Sequence, residues 1–194
     1  MKKVLLFSLA VLSCLGIVAY AAGGMPKGWF MAGTKPSAYA AEIDPANAHD
    51  GHPALHMHSL SDAKVEGFGT VMQKISADKY LGKRVRFSGY MKSDKVTSWA
   101  GFWMRVDNDK GQSPEFDNMQ SRAIKGTTDW KKYDIVLDVP RKDSVYIAFG
   151  FLMDETGDIW VSGMKMEVVD KSVPVTAGGE QMPDHPVNLD FDSK

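Results

Sequence analysis

Residues 98–107, SWAGFWMRVD, decide the predicted fold, because their side chains sort onto two distinct faces if the stretch is a strand. Side chains alternate along a strand, so one face carries the apolar residues of a core. The residues of that core face are Ala100, Phe102, Met104 and Val106. The opposite face carries Trp99, Trp103 and Arg105. Two indoles and a guanidinium are unusual on an outer surface, so we interpret this face as one wall of a binding cleft.

Other stretches of the chain repeat this pattern. Residues 84–91 alternate as a half-buried antiparallel strand does, and residues 145–152 are apolar on both faces, which is typical of a central strand. About nine short strands at roughly 8 to 12 residue spacing, with no long helix, predict an all-β fold, specifically a two-sheet antiparallel β-sandwich. Trp130 and Trp160 stand at strand starts, and we expect both in the core.

The first residues resemble an export signal. Lys2 and Lys3 precede an apolar run over residues 4–18, and Ala19-Tyr20-Ala21 has small residues at both positions that a signal peptidase reads. We therefore expect an exported protein, periplasmic or extracellular. The predicted organisation is a signal peptide over residues 1–21, a β-sandwich domain over residues 22–169 and a flexible tail over residues 170–194.

The apolar run is shorter than the roughly 20 residues that a membrane-spanning helix needs, so no stable span is expected. Cys14 follows a small residue and loosely matches a bacterial lipoprotein processing site, which makes a lipoprotein the alternative. Cleavage after Ala21 would remove this cysteine, and the domain would then fold without disulfides.

Composition limits the classes of partner. The chain has 194 residues and is 44% hydrophobic, which is enough for one domain with a full core. Its net charge is -1, and lysines and arginines form no basic run or stripe. Nucleic acid is therefore not an expected partner.

The order of several segments resembles that of a known superfamily. A Gly-Trp pair lies near the start, and HDGHPAL precedes the first long alternating strand. The later segments are LGKRVRFSGYMK (81–92), GTTDWKKYDIVLDVP (126–140) and VYIAFGFLMDETGDIWVSGMKMEVV (145–169). This order is similar to that of jelly-roll domains of the galactose-binding-like superfamily, which includes many carbohydrate-binding modules.

The resemblance is strongest to uncharacterised bacterial domains with GWFMAG, FDNM and GTTDW segments, some of them joined to AraC-type transcription regulators. It implies a jelly roll over roughly residues 27–169, with ligand binding on the concave sheet or on loops at one rim. A structural calcium ion is common in that superfamily, and no residues here are matched to its ligands. The fold serves many functions, so the resemblance predicts architecture more than activity.

The candidate ligand site consists of Trp99, Trp103 and Arg105 with the amides of Asn118 and Gln120. An aromatic ring stacks on the apolar face of a sugar, while arginine and amide groups bind its hydroxyls. We therefore predict a non-catalytic domain that binds a glycan or another small polar ligand. A structural role, with the tryptophans covered by a loop and Arg105 paired with an acid, stays open.

Four of the five histidines lie within ten positions, and His56 and His58 share one face of a strand. This spacing lets two imidazoles approach one metal ion, with His49 and His52 nearby in sequence. No cysteine or clear glutamate completes the set, so no cofactor is predicted and these two residues are the metal candidates.

Two other functions stay open. A cell-envelope protein could use the same apolar face for a protein partner or for assembly. A hydrolase would need two carboxylates at a working separation, and the sequence places no such pair. The acids from which a pair could be drawn are Asp117, Asp134, Asp154 and Glu155.

Overall fold

The computed structural model of the chain describes residues 24–61 and 65–176. The nine strands within these ranges are β1 (Phe30–Gly33), β2 (Tyr39–His49), β3 (His52–Ser59), β4 (Phe68–Ser76), β5 (Arg84–Asn108), β6 (Glu115–Asp117), β7 (Ile124–Asp138), β8 (Ser144–Asp154) and β9 (Asp158–Val169). The helical elements in the described part are short 3-10 turns at Pro36–Ala38, Asp78–Tyr80 and Gln120–Arg122. All strand pairs are antiparallel, so the predicted all-β class is confirmed. Within the described ranges, no helix has the length and apolar character to cross a membrane.

Strand β5 belongs to two layers of the sheet. Its 25 residues include both stretches that were predicted as separate strands, residues 84–91 and 98–107. The N-terminal half pairs with β7 and β9, which gives a first layer ordered β2-β3-β9-β5-β7. The C-terminal half pairs with β8 and β6, which gives a second layer ordered β1-β4-β8-β5-β6. Neighbouring strands are hydrogen-bonded to both edges of β5 along most of its length. The strand therefore continues through the bend from the first layer to the second.

The core lies between these two layers. Phe87 from the first half of β5 meets Phe102 from the second half edge to face, with ring centroids 5.3 Å apart. Two residues of one strand can touch in this way because the curl turns the two halves toward each other. The core face of residues 98–107 is confirmed, since its four members are at most 1% exposed. Each such large apolar side chain stabilises the fold by about 1.5–3 kcal/mol through burial.

Strand β9 departs from simple alternation at Gly163. This glycine has a φ of 62°, and the pairing of β9 with β5 shifts register beside it, between Ser88 and Tyr90. Trp160 precedes the shift and points away from the core, whereas Met164 follows it and packs against the core. Trp130 also lies outside the core cluster, so the expectation that both tryptophans are core residues is wrong.

The described residues after β9 stay in contact with the first layer. The Arg84 guanidinium donates to the carbonyls of Lys171 and Val173, both at 2.7 Å. The Thr176 N–H donates to the Val136 carbonyl on β7 at 2.9 Å, and the Val136 N–H donates to the Thr176 hydroxyl oxygen at 2.8 Å. The predicted signal peptide and residues 177–194 of the predicted tail lie outside the described residues.

Candidate functional site

A cleft of about 400 Å³ lies on the outer face of the second layer. Strands β1, β4, β5, β6 and β8 all contribute to it. Its lining residues are Ala32, Gly33, Phe68, Thr70, Met72, Trp99, Trp103, Arg105, Phe116, Asn118, Leu152 and Asp154. The cleft lies opposite the core face of β5, because alternation sends Trp99, Trp103 and Arg105 outward when Phe102 points inward.

The floor of the cleft is built around Trp103. This side chain is 7% exposed and packs with Ala148 and Leu152 of β8. Its indole N–H donates to the Thr70 hydroxyl at 2.7 Å, and that hydroxyl donates to the carbonyl of Phe151 at 2.8 Å. Trp103 is therefore fixed in place by both packing and hydrogen bonding.

A glycine is paired with Trp103 across β5 and β8. Gly150 is the cross-strand partner of both Trp103 on β5 and Met72 on β4. A Cβ at this position would stand 2.1 Å from the carbonyl oxygen of Val71, which is far inside van der Waals contact. The absent side chain lets β4 approach β8 closely.

Aromatic rings form the walls. Trp99 and Phe68 are half-buried. Both are cross-strand partners of Asp154, so the Asp154 residue of β8 lies between the two aromatic residues of β5 and β4. Phe116 is 47% exposed on β6, where it pairs with Arg105. An exposed phenylalanine in a concavity offers a large apolar surface to a ligand.

Charged and amide groups complete the rim. Arg105 forms an ion pair with Asp107, in which Nη2 donates to Oδ2 at 2.9 Å and Nε lies 2.6 Å from Oδ1. The hydrogen bond from Nη2 holds one of the five N–H donors of the guanidinium and orients the group. Asp154 accepts a hydrogen bond from the Ser98 hydroxyl at 2.7 Å. The rim thus offers a cation, an anion and an amide within one cleft.

Four of the five predicted ligand residues line this cleft: Trp99, Trp103, Arg105 and Asn118. Gln120 does not line it. The prediction carried strand alternation through residue 120, but β6 ends at Asp117 and Met119 adopts a left-handed φ of 61°. Gln120 then begins a 3-10 turn and is exposed.

The Tyr39 hydroxyl makes partly buried contacts with the segments next to β4 and β8. The Tyr39 hydroxyl contacts the backbone carbonyls of Glu155 at 2.7 Å and Gly67 at 3.1 Å. Burial raises the pKa of Tyr39 to about 12, and the Asp154 carboxylate adds to this increase. Tyr39 therefore stays neutral and joins the segments before β4 and after β8, which flank the cleft.

A second outward-facing cluster joins the histidines that the sequence singled out to two tryptophans that were expected in the core. On the first layer, His56 stacks on Trp160 with ring centroids 4.4 Å apart, and His49 stacks on Trp130 at 4.8 Å. The Lys92 ammonium lies 4.5 Å from the Trp160 ring centroid. The clustering of histidines in sequence was the available signal, and the tryptophans were instead assigned to the core.

Sequence comparison relates the chain to a bacterial regulator. No protein-family model matches the chain. The chain is 41% identical over 171 residues to the uncharacterized HTH-type transcriptional regulator YbfP of Bacillus subtilis (strain 168). The match covers 87% of this chain and 57% of the regulator, so the chain spans little more than half of its relative.

Structural comparison relates the fold to carbohydrate-binding modules. The CBM22-1 xylan-binding domain of Paenibacillus barcinonensis Xyn10C has a TM-score of 0.54 at 15% identity, with 76% of this chain and 90% of that domain covered. The C-terminal family 22 carbohydrate binding module of Clostridium thermocellum Xyn10B has a TM-score of 0.52 at 13% identity, with 74% and 87% covered. The fold is a jelly roll of this type. The predicted resemblance is thereby confirmed at the level of architecture.

The same fold also appears within a larger protein. The enzymatically active domain of bacteriophage CBA120 tailspike protein 4 has a TM-score of 0.55 at 12% identity. That match covers 74% of this chain and 20% of the tailspike chain. At such identities the likeness shows the fold alone.

Proposed function

We propose that the jelly-roll domain binds a glycan, or a small polar ligand of similar character, in the cleft on the second layer. The observation that carries this proposal is the union of Trp99, Phe68 and Phe116 with Arg105, Asn118 and Asp154 around one concavity. A pyranose ring has an apolar face that stacks on aromatic rings and a rim of hydroxyls that bind charged and amide groups.

The roles within the cleft follow from exposure and from existing bonds. The indole N–H of Trp103 donates to the Thr70 hydroxyl, and these two side chains form the floor of the cleft. Trp99 and Phe116 supply the stacking surface. Arg105 and Asp154, each oriented by a bond to a neighbouring side chain, supply directed polar contacts. Side chains that are already oriented lose less conformational entropy when the ligand binds, so the ligand contacts have a smaller cost to offset.

Binding without catalysis is favoured over hydrolysis. The paired-acid mechanism of glycoside hydrolysis needs two carboxylates flanking the bond, about 5–10 Å apart. Asp154 is the one carboxylate among the described residues that line the cleft. Asp117 is instead held by Arg122, with Nη2 to Oδ2 at 2.8 Å.

A protein ligand is the second candidate occupant of this layer. Phe30 is 46% exposed on β1, and its cross-strand partner Met72 lines the cleft whose rim includes the exposed Phe116. Exposed aromatic side chains are enriched where proteins contact one another. A partner at the cell envelope fits the export that we propose from the basic and apolar residues at the start of the chain.

We do not propose DNA binding for this chain on the basis of its regulator relative. A helix-turn-helix places a recognition helix in the major groove. Residues 24–61 and 65–176 hold strands and 3-10 turns but no α-helix. We propose instead that the shared region is a ligand-binding domain, with a signal peptide before it and a tail after it in this chain.

Affinity electrophoresis against a panel of soluble polysaccharides, xylan included, tests the proposal. The expected result is retardation of the chain by at least one polysaccharide, with normal mobility for Trp99→Ala. Absence of retardation of the unaltered chain on every gel would contradict glycan binding, and equal retardation of both proteins would contradict the role of Trp99. Co-purification of one stoichiometric protein that is lost in Trp99→Ala would favour the second candidate.

A further inference from the structure

Two histidines and an aspartate converge on the outer face of the first layer, opposite the cleft. One nitrogen each of His56 and His58 and one oxygen of Asp158 lie within 4.8 Å of one another. Leu55 and Met57 point into the core, so the alternating histidines of β3 point outward together. This convergence is therefore a consequence of strand geometry.

The sheet register brings Asp158 to these histidines. His58 is the cross-strand partner of Asp158, and His56 is the partner of Trp160, the next residue of β9 on the same face. His56 Nε2 lies 2.8 Å from Asp158 Oδ1. The indole of Trp160 stacks on the His56 ring at an interplanar angle of 2°, which fixes the plane of that imidazole.

His58 supplies an independent observation. Its Nδ1 is buried and has no hydrogen-bond partner among the described residues. A buried polar nitrogen without a partner is costly, and native structures rarely keep one without a reason such as an ion. The ring centroids of His58 and His56 lie 4.8 Å apart, so the two imidazoles are neighbours on the outer face of β3.

We propose that His56, His58 and Asp158 bind a divalent transition-metal ion, with Zn²⁺ as the reference ion. Two imidazole nitrogens and one carboxylate oxygen are a ligand set that such ions use. Ligand atoms around tetrahedral zinc lie about 3.4 Å apart, given bond lengths near 2.1 Å. The separations in this cluster reach up to 4.8 Å, so the three side chains draw closer together when they bind the ion.

Glu42 is a candidate for a fourth ligand. It is the cross-strand partner of His56 on β2, on the side away from Trp160, and it is exposed. Directly paired residues in an antiparallel sheet have Cβ atoms about 5 Å apart, so its carboxylate lies on the face of the cluster. An ion bound here would join β2, β3 and β9 across the edge of the first layer.

Zinc titration of the full chain tests this site. The protein is purified without a histidine tag, stripped with a chelator, and titrated with ZnCl₂ by calorimetry and by thermal unfolding. The expected result is one equivalent of Zn²⁺ per chain and a rise in melting temperature. We expect His58→Gln and Asp158→Asn to weaken binding at least tenfold, and Glu42→Gln to weaken it less.

His52→Ala is the matched control, because His52 is an exposed histidine of the same strand outside the cluster. It should bind zinc as the unaltered chain does. The proposal is overturned if zinc neither binds nor raises the melting temperature, or if His58→Gln binds zinc as tightly as His52→Ala. Circular dichroism establishes that each variant is folded, and Asp158→Asn provides a second readout if His58→Gln is not.

Discussion

Trp103 donates its indole N–H to the Thr70 hydroxyl at 2.7 Å, which joins β5 to β4 across the intervening strand β8. The Thr70 hydroxyl in turn donates a hydrogen bond to the carbonyl of Phe151 on β8. The floor of the cleft is thus a three-strand hydrogen-bonded unit. This relationship separates Trp103, which shapes the cleft, from Trp99, which is available to a ligand.

The Thr70 hydroxyl should contribute measurably to stability. Thr70→Val keeps the shape of the side chain but leaves the buried Trp103 N–H without its acceptor, so we expect a loss of about 1–3 kcal/mol in the free energy of unfolding. Urea denaturation followed by tryptophan fluorescence measures the loss. Thr70→Ser, which keeps the hydroxyl, is the control and should lose less. Equal stability of Thr70→Val and the unaltered chain would contradict this role.

Gly150 should tolerate no side chain. Gly150→Ala forces a Cβ against the Val71 carbonyl, and we expect a loss of about 3 kcal/mol, at the upper end for overpacking. Gly101→Ala is the comparison, because its Cβ would stand 3.1 Å from the Cβ of Met119, a contact that a shift of a few tenths of an ångström relieves. Chemical denaturation of the two variants should rank Gly150→Ala as the less stable, and the reverse order would contradict the account.

Alkaline pH should destabilise the fold through Tyr39. Its pKa is raised to about 12 when folded, against about 10 when unfolded, so the folded state holds the proton more tightly. The resulting stability is present below pH 10 and is lost as pH rises from about 10 through 12. Tyr39→Phe should show a shallower decline over this window in thermal unfolding. An unchanged slope would show that Tyr39 is not the group responsible.

Acid should weaken the contact between Arg84 and Asp138. The hydrogen-bonded Arg84 guanidinium lowers the pKa of the Asp138 carboxyl, with Nη2 to Oδ2 at 2.8 Å. A lowered folded-state pKa gives stability that is present above the ordinary value near 4 and is lost as pH falls below it. Asp138→Asn should reduce the dependence of melting temperature on pH below 4. If the melting temperatures of Asp138→Asn and the unaltered chain fall equally below pH 4, Asp138 does not contribute to the loss of stability in acid.

Strand alternation made the core face and most of the cleft predictable from the sequence. Phe102 and Trp103 are adjacent residues of opposite character, and period-two geometry assigns one to the core and the other to the cleft. The same rule directs Arg105 to the face that carries the cleft. These assignments need no knowledge of the neighbouring strands, because burial on one side of β5 decides both faces.

Local departures from alternation were not predictable in the same way. Gln120 was expected in the site, but the left-handed backbone at Met119 turns the chain before it. Trp160 was expected in the core, yet it faces outward on β9 and stacks on His56. Asp158 joins the histidines through the pairing of β3 with β9, a contact 100 residues apart in sequence between His58 and Asp158. Such long-range register is a tertiary property that one strand's pattern does not contain.

Trp99 is the residue through which we expect the cleft on the second layer to bind a glycan. Calorimetric titration of the full chain with oligosaccharides of the polysaccharide that retards it tests this claim most directly. Trp130→Ala serves as the control, because Trp130 is a half-buried tryptophan of the other layer. We predict saturable binding by the unaltered chain and by Trp130→Ala, with affinity reduced about five- to tenfold in Trp99→Ala, since stacking on an aromatic ring contributes about 1–1.5 kcal/mol. Equal affinity of Trp99→Ala and Trp130→Ala would contradict the account.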